Sequence, residues 1–226
     1  MSQSGVRSET MQQKVYQELR HSLMVGAFVP GESISLRKLA ETLKTSLMPV
    51  REAVNRLIAE RAFESLPNRK VIVPYLSEEK LTELMYWRKV LEGSAATQAA
   101  KNMTPELIAG IKSINAELVQ AVADDDFHLT LIKNQEFHFA IYRTSENTIL
   151  LPMIESLWLQ GGPSIYFSLV SPNVIWNGEH HLEMIAALES NDANGLCKAI
   201  EQDIQATSDF LLKSYILRRV SPRPVA

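Results

Sequence analysis

Hydrophobic residues recur at helical spacing through the stretch 35–58, SLRKLAETLKTSLMPVREAVNRLI, and divide it into two short amphipathic helices. The first helix has its apolar residues three and four apart, and Ser35 stands where it can cap the first turn. A polar turn follows, and Ser46 is placed to cap a second helix that begins near Leu47. Pro49 lies in the first turn of that helix, where a missing N–H costs little. The pattern predicts two helices joined by a tight turn.

The flanking segments predict the rest of a small domain. Upstream, apolar residues at helical spacing mark a first helix that ends at Gly26. Downstream, 63–66 and 70–73 are short β-rich runs joined by Pro67-Asn68-Arg69, which is typical of a hairpin. Three helices followed by such a hairpin make a winged helix. Arg69 and Lys70 lie at its tip, where a basic side chain can reach phosphate or the minor groove.

Arg51, Asn55 and Arg56 give the second helix of the pair a polar and basic face. A basic helix after a short turn is typical of a helix-turn-helix, whose second helix enters the DNA major groove. The alternative is an ordinary helical hairpin with a solvated basic face. The residues of this stretch alone leave both interpretations open.

The order of motifs over residues 12–76 resembles the amino-terminal winged helix of the GntR family of bacterial transcription regulators. The matching pieces are VYQELRHSLMVGAFVPGESIS, RKLAETL, S..PVREAVNRL and PNRKVIV. The resemblance, with the basic wing tip, gives the expected DNA-binding residues as Arg37, Ser46, Leu47, Pro49, Arg51, Arg69 and Lys70. Leu47 stands where the family usually has Arg, and Lys70 where the wing often has Gly. These two departures predict an operator that differs from those of typical relatives.

The charge distribution agrees with one DNA-facing part. The net charge of the 226 residues is −3, but residues 1–74 hold 11 Lys/Arg and 7 Asp/Glu, whereas residues 75–226 hold 12 and 19. A basic part beside an acidic part suits one nucleic-acid-binding domain and one that is not. Cys197 is the only cysteine, so an internal disulfide is excluded. No secretory h-region and no apolar run of about 18 residues appears, so we expect a soluble, cytoplasmic protein without a membrane segment.

The domain boundary is expected between residues 76 and 77, because Pro74 ends the hairpin and Ser77 can cap the next helix. This gives a winged helix-turn-helix domain over 1–76 and an all-helical domain over 77–226. Helices are expected at 77–101, 104–123, 125–145, 147–160, 173–190 and 192–219. Gly161-Gly162-Pro163 is expected to end the fourth of them. The predicted fold class is mostly α, with an amino-terminal winged helix-turn-helix and a carboxyl-terminal all-α helical bundle.

Four polar residues of the predicted bundle have spacing that suits a metal site. Asn134 and His138 lie four apart and share a helix face, His181 lies in a later helix, and Asp203 lies in the last. Helical bundles build metal sites from such side chains on facing helices. Two imidazoles and a carboxylate suit Zn, Ni, Mn or Fe. The alternative is that these are ordinary surface or core residues.

The carboxyl-terminal half also resembles a known domain, the FCD ligand-binding domain of the FadR branch of the GntR family, over about residues 77–215. The matching pieces are WRKVLEGSAATQAA, FHFAIYRTSEN and HLEMIAALESNDANGLCKAIEQD. The resemblance implies metal ligands at Asn134, His138, His181 and Asp203, with Asn where Asp is common and Asp where the last His is common. It also implies that Arg88 grips the carboxylate of an effector. The alternative for Arg88 is an (i, i+4) ion pair with Glu92 on a solvated face.

These observations predict a transcription regulator, and specifically a repressor, rather than an enzyme. We expect a homodimer that binds a palindromic double-stranded DNA operator, because two recognition helices must reach half-sites about one DNA turn apart. A small organic acid would be the effector, bound with a divalent transition metal. A metal-dependent enzyme is one alternative, but it needs a general base, and Glu136 points away from His138 on the same helix. A metal-free dimerisation module is the other alternative.

Overall fold

The structure of the chain is a computed structural model that describes residues 10–170 and 178–213. Its amino-terminal region consists of α1 (Met11–Met24), β1 (Ser33–Ile34), α2 (Leu36–Thr42), α3 (Leu47–Ala59), β2 (Glu64–Ser65) and β3 (Val71–Ile72). The three strands form an antiparallel sheet in the order β1-β3-β2. The predicted winged helix is therefore confirmed.

The sheet differs from the prediction in two details. The strands of the hairpin are two residues each, shorter than the β-rich runs 63–66 and 70–73. Strand β1, which lies outside the elements predicted from the sequence, pairs Ser33 with Ile72 and ties the entry of α2 to the wing. Its position is a tertiary effect, because a two-residue strand carries no periodicity of its own.

The helix boundaries of this region follow the capping signals closely. Ser35 Oγ accepts a hydrogen bond from Lys38 N at 3.3 Å and starts α2. Ser46 flanks α3 in extended conformation but its side chain makes no capping hydrogen bond. The inward face of α3, which carries Val50, Val54 and Leu57, is buried and packs against α1. The opposite face of α3 is thus left outside.

The rest of the described chain is an all-helical bundle. It consists of α4 (Glu78–Ala99), a 3-10 turn (Ala100–Asn102), α5 (Pro105–Ala123), α6 (Phe127–Arg143), α7 (Leu150–Val170), α8 (Glu179–Glu189) and α9 (Ala193–Lys213). Ser77 and Thr104 cap α4 and α5 as the sequence predicted. Helix α4 packs against α6, α7 and α9 and so lies at the centre of the bundle. The predicted all-α carboxyl-terminal bundle is confirmed.

The predicted end of a helix at Gly161-Gly162-Pro163 is wrong, because α7 continues through these residues to Val170. Gly161, Gly162 and Pro163 are all buried, so packing on both sides stabilises a helical turn that intrinsic propensity disfavours. Two predicted segments lie outside the described residues. They are 173–177, the first residues of the helix predicted at 173–190, and 214–219, the last residues of the helix predicted at 192–219. The chain ends, 1–9 and 220–226, also lie outside the described residues.

The two halves of the chain pack against each other through α1 and α7. Gly162 faces the end of α1 so closely that a Cβ there would meet the carbonyl oxygen of Leu23 and lie 2.9 Å from that of Met24. Near this contact, Arg20 Nη1 and Glu155 Oε2 form an ion pair at 3.0 Å. The glycine therefore permits the close approach of the two helices, and the ion pair spans the same joint.

Candidate metal centre and DNA-contacting surface

The outward face of α3 is the candidate recognition surface. Leu47 is 41% exposed and Met48 63% exposed, and Arg51 and Asn55 are exposed one and two turns further on. Among the residues that the structure describes, none forms a hydrogen bond or ion pair with the Arg51 side chain. Arg56 differs, because its guanidinium lies 3.6 Å from the centre of the Tyr16 ring and also contacts Glu60. Arg51 is thus the arginine of α3 that is available to a ligand.

The other predicted DNA-binding residues are distributed around this face. Arg37 is exposed in the first turn of α2, and Ser46 is exposed at the start of α3. Pro49 is buried, so its position in the first turn supports the helix from inside. At the wing, Asn68 Oδ1 accepts a hydrogen bond from Lys70 N at 3.0 Å and closes a tight turn. Arg69 has a φ of 62° there and is exposed at the tip, as is Lys70.

Three helices of the bundle bring His138, His181 and Asp203 together. One potential ligand atom from each of them lies within 4.8 Å of the other two. His138 Nε2 and Asp203 Oδ2 are 3.5 Å apart. Both histidines are 1% exposed, and the Asp203 side chain is 21% exposed. The predicted convergence of these three residues is therefore present, at the inside of the bundle with one slightly open side.

Asn134 lies one turn before His138 on α6 and is also buried. Its amide is therefore on the side of α6 that faces this cluster. Glu136, between them, is engaged elsewhere, because Lys133 Nζ donates to its Oε2 at 2.8 Å. The side of α6 that faces the cluster thus presents an amide and an imidazole, while the acidic residue of that turn points away as predicted.

The electrostatics of the cluster favour a cation. Burial, together with His181 and Arg88, holds the pKa of His138 well below its ordinary value. Burial and the neighbouring His180 lower the pKa of His181 to about 3. Both imidazoles are thus neutral at pH 7 and keep a lone pair for a metal. Burial raises the pKa of Asp203 to about 6, against the opposing effect of Arg88, so its carboxylate is still mostly ionised at pH 7. Two neutral imidazoles and one carboxylate around one space fit a divalent transition metal.

Arg88 lies beside the cluster, but in a buried ion pair. Its Nε donates to Glu92 Oε1 at 2.6 Å and its Nη2 to Glu92 Oε2 at 3.3 Å. Its guanidinium also lies 4.5 Å from the centre of the Trp158 ring. Arg88 is 3% exposed and Glu92 fully buried, so the pair exists but not on a solvated face. The ion pair with Glu92 engages only some of the five N–H groups of the Arg88 guanidinium.

Two residues that the sequence did not single out complete the surroundings of the histidines. Tyr142 Oη donates to Glu92 Oε2 at 2.7 Å and lies 3.3 Å from His138 Nδ1. Asn115 Oδ1 lies 3.1 Å from His181 Nδ1. Tyr142 follows His138 by one helical turn, a spacing that a sequence does show. Asn115 comes from α5, and nothing in its local sequence indicates a role beside a histidine 66 positions away.

The described helices include none that combines the length and apolarity needed to cross a bilayer.

Comparison with known families gives two matches. The profile described as bacterial regulatory proteins, gntR family, matches residues 11–73, and that of the FCD domain matches residues 83–206.

Comparison with individual proteins agrees with these matches. The HTH-type transcriptional regulator McbR of Escherichia coli K12 is 32% identical over 206 residues, which cover 89% of this chain and 93% of McbR. The HTH-type transcriptional repressor RspR of the same organism is 23% identical over 208 residues, 89% of each chain. Among solved structures, E. coli McbR/YncC has a TM-score of 0.82 at 31% identity and covers 89% of this chain and 97% of its own. A putative GntR regulator from Rhodococcus sp. RHA1 has the same fold, with a TM-score of 0.72 at 20% identity over 90% of this chain and 98% of its own.

Proposed function

This chain belongs to the GntR family of bacterial regulatory proteins, contains an FCD domain and is a DNA-binding transcription regulator, and we propose that a small organic acid controls its affinity for the operator. The acid would bind in the FCD half beside a divalent transition metal. We place the boundary between the two functional halves between residues 76 and 77, where the wing ends and Ser77 caps α4.

The observation that carries this proposal is the convergence of His138, His181 and Asp203 from three helices. Burial of two neutral imidazoles beside a partly buried carboxylate costs folding free energy, and a bound cation would offset that cost. Buried clusters of this kind are therefore candidates for functional sites. These three residues would hold the metal, which we take to be Zn, Ni, Mn or Fe, and Asn134 would be a weak fourth ligand or a donor to a bound ligand. The metal would supply an open coordination position for one oxygen of the effector.

Arg88 would hold the effector carboxylate. Glu92 occupies one side of its guanidinium, and Nη1 donates one N–H to Met85 Sδ at 3.9 Å. The other N–H of Nη1 and the second one of Nη2 remain for a second carboxylate. A planar guanidinium suits such a carboxylate because two parallel N–H groups match its two oxygens. The site lies inside the bundle with one slightly open side, which favours a small effector.

On the DNA side, we propose that Arg37, Ser46, Leu47, Arg51, Arg69 and Lys70 contact the operator and that Pro49 supports α3 from within. The exposure of these six side chains and the burial of Pro49 support this division of roles. The protein would act as a homodimer in the cytoplasm, where its operator is. Repression is the proposed outcome because relatives such as RspR are named repressors.

The test of the metal begins with elemental analysis of protein purified without chelator. We expect bound Zn, Ni, Mn or Fe, and a rise in melting temperature when metal is added to stripped protein. At a hundredfold excess over the dissociation constant, binding adds about 2.7 kcal/mol to the free energy of unfolding. His138→Ala and Asp203→Ala should each lose that gain. His128→Ala, which removes an exposed histidine of α6, should keep it.

The effector is tested by screening small organic acids with the metal-loaded protein, with melting temperature and operator binding as readouts. Acids that raise the melting temperature should also change operator affinity, and Arg88→Lys should weaken both responses. Protein that contains no metal and whose melting temperature ignores added Zn, Ni and Mn would contradict the metal part. Acids that act equally on Arg88→Lys would contradict the role of Arg88.

A further inference from the structure

Each histidine of the candidate metal centre has a specific neighbour at its Nδ1 atom. Tyr142 Oη lies 3.3 Å from His138 Nδ1, and Asn115 Oδ1 lies 3.1 Å from His181 Nδ1. Both neighbours are buried. Their positions bear on the tautomer of each imidazole, and a neutral imidazole can bind a metal only through the nitrogen that lacks the proton.

For His138, the direction of the hydrogen bond follows from the donors available. The Tyr142 hydroxyl has one hydrogen, and it is directed to Glu92 Oε2 at 2.7 Å. The longer contact with His138 must therefore use a lone pair of the hydroxyl oxygen, so His138 Nδ1 is the donor. Arg88 holds Glu92 on its other side and keeps the carboxylate oriented toward Tyr142.

For His181, the direction follows from the acceptor. The side-chain oxygen of Asn115 has no hydrogen, so His181 Nδ1 must donate to it. The Phe137 ring lies against the same imidazole, with ring centres 4.0 Å apart and an angle of 8° between the planes. The hydrogen bond and the stacking together fix both the tautomer and the plane of the ring.

We infer that Tyr142 and Asn115 are positioning residues, which fix both histidines as Nδ1–H tautomers and so direct Nε2 of each toward the space shared with Asp203. His138 Nε2 lies 3.5 Å from Asp203 Oδ2, so this nitrogen faces the carboxylate, and a cation between them would bind both atoms. The inference rests on the proposed metal function for its purpose, but the tautomers themselves are a property of the metal-free protein. A hydrogen-bonded partner at the second nitrogen is how many proteins orient metal-binding histidines.

The tautomers are measured directly by long-range 15N–1H NMR correlation on full-length protein with 15N-labelled histidine, stripped of metal. The chain has five histidines, and single His→Gln variants assign the signals. We expect His138 and His181 to carry the proton on Nδ1. In Tyr142→Phe only the His138 pattern should change, and in Asn115→Leu only that of His181. Asn115→Asp, which keeps an acceptor, should leave the His181 pattern as it is.

Metal affinity is the second readout, measured by competition with a chromogenic chelator for Zn. Tyr142→Phe and Asn115→Leu should each bind Zn about 10–100-fold more weakly. Asn115→Asp should bind at least as tightly as the wild type. The matched control is Tyr86→Phe, which removes a hydroxyl from a residue 55% exposed on α4 and should change neither readout.

The inference is overturned if wild-type His138 or His181 is mainly the Nε2–H tautomer, a result that needs no variant to fold. It is also overturned if both variants fold and keep the wild-type patterns. Failure of the proposed metal function gives a different result. Wild-type protein would then show both Nδ1–H tautomers but bind no Zn, Ni or Mn, which would uphold the positioning roles and refute the metal.

Discussion

At the scale of single residues, Arg51 is the arginine of α3 that we propose to contact the operator. It is exposed on α3 about one turn after Ser46, and no described residue pairs with it. Arg56, one turn and a half further on, is held back by Tyr16 and Glu60. The two arginines of this helix thus have different surroundings, and this difference is the basis for proposing different roles.

The first prediction follows from that difference. Arg51→Ala should weaken specific operator binding by about 1–3 kcal/mol and relax the preference at one base pair. Arg143→Ala, which removes an exposed arginine of the bundle, should leave it unchanged. Gel-shift titration at fixed salt measures both. An Arg51→Ala protein with wild-type operator affinity would show that α3 does not read the operator.

A second prediction concerns Leu47, which is 41% exposed at the start of α3. An apolar side chain there can contact a thymine methyl but not form the bidentate bond that Arg makes with guanine. Leu47→Arg should therefore shift the preference toward G at one position of each half-site. Selection from a random DNA library, run on both proteins, gives the two motifs. Identical motifs would refute the argument.

The third prediction concerns the amide in the candidate metal centre. Asn134→Asp adds a second carboxylate near Asp203, which should tighten metal binding because charge attraction to the cation increases. The same change should destabilise the stripped protein, since a buried carboxylate at 134 and the partly buried carboxylate of Asp203 repel each other. Chelator competition and melting temperature measure the two effects. Asn194→Asp, at an exposed position of α9, is the control with the same change in charge. An unchanged metal affinity in Asn134→Asp would place residue 134 outside the site.

At the scale of elements, α7 shows how packing overrides local preference. The Gly161-Gly162-Pro163 segment favours a helix end, because glycine is flexible and proline lacks the N–H that a helix interior uses. Helix α7 nevertheless continues, and Gly162 lies against the backbone at the end of α1. Trp158, one turn before Gly162 on the same side of α7, contacts Arg88 and His138. One helix therefore touches both the candidate metal centre and the winged helix.

The fourth prediction tests this contact. Gly162→Ala should reduce the free energy of unfolding by about 1–3 kcal/mol, because its Cβ would overlap the carbonyl of Leu23. Gly110→Ala is the matched control on α5, where an added Cβ meets nothing within 4 Å. That control should stabilise the protein by about 1 kcal/mol, because alanine favours a helix. Chemical denaturation measures both, and an equal response of the two variants would mean that the close approach of α1 and α7 is absent in solution.

At the scale of the whole molecule, the docking of α1 on α7 sets where the recognition helix stands relative to the bundle. The ion pair between Arg20 and Glu155 spans the same joint, with 18% and 25% of the two side chains exposed. A change in the bundle that moved α7 would thus act directly on the winged helix. This route is short, since Trp158, whose ring lies near that of His138, is one turn before Gly162 on α7.

The fifth prediction concerns assembly. The protein should have twice its chain mass of 25.4 kDa in light scattering, and should protect two half-sites whose centres are about one DNA turn, roughly 34 Å, apart. Inserting five base pairs between the half-sites should place them on opposite sides of the duplex and abolish tight binding. Equal affinity for the spaced operator, or a monomer bound to a single half-site, would contradict the dimer.

The sequence alone determined the winged helix, the helical bundle and most helix starts, because these depend on signals local in the chain. Caps such as Ser35, Ser77 and Thr104 act within one turn, and apolar spacing needs only a few residues. The resemblance to known families added the residues of the candidate metal centre, and the structure brings His138, His181 and Asp203 together.

Only the tertiary structure decided which partners those residues have. The Nδ1 atom of His181 is engaged by Asn115 from another helix, and the Arg88 pair that a sequence places on the surface is buried beside Trp158. The same holds for α7, whose Gly162 permits a contact with α1, about 140 positions earlier in the chain. Burial and pairing across helices depend on how the elements pack, and no local pattern in a single sequence encodes that packing.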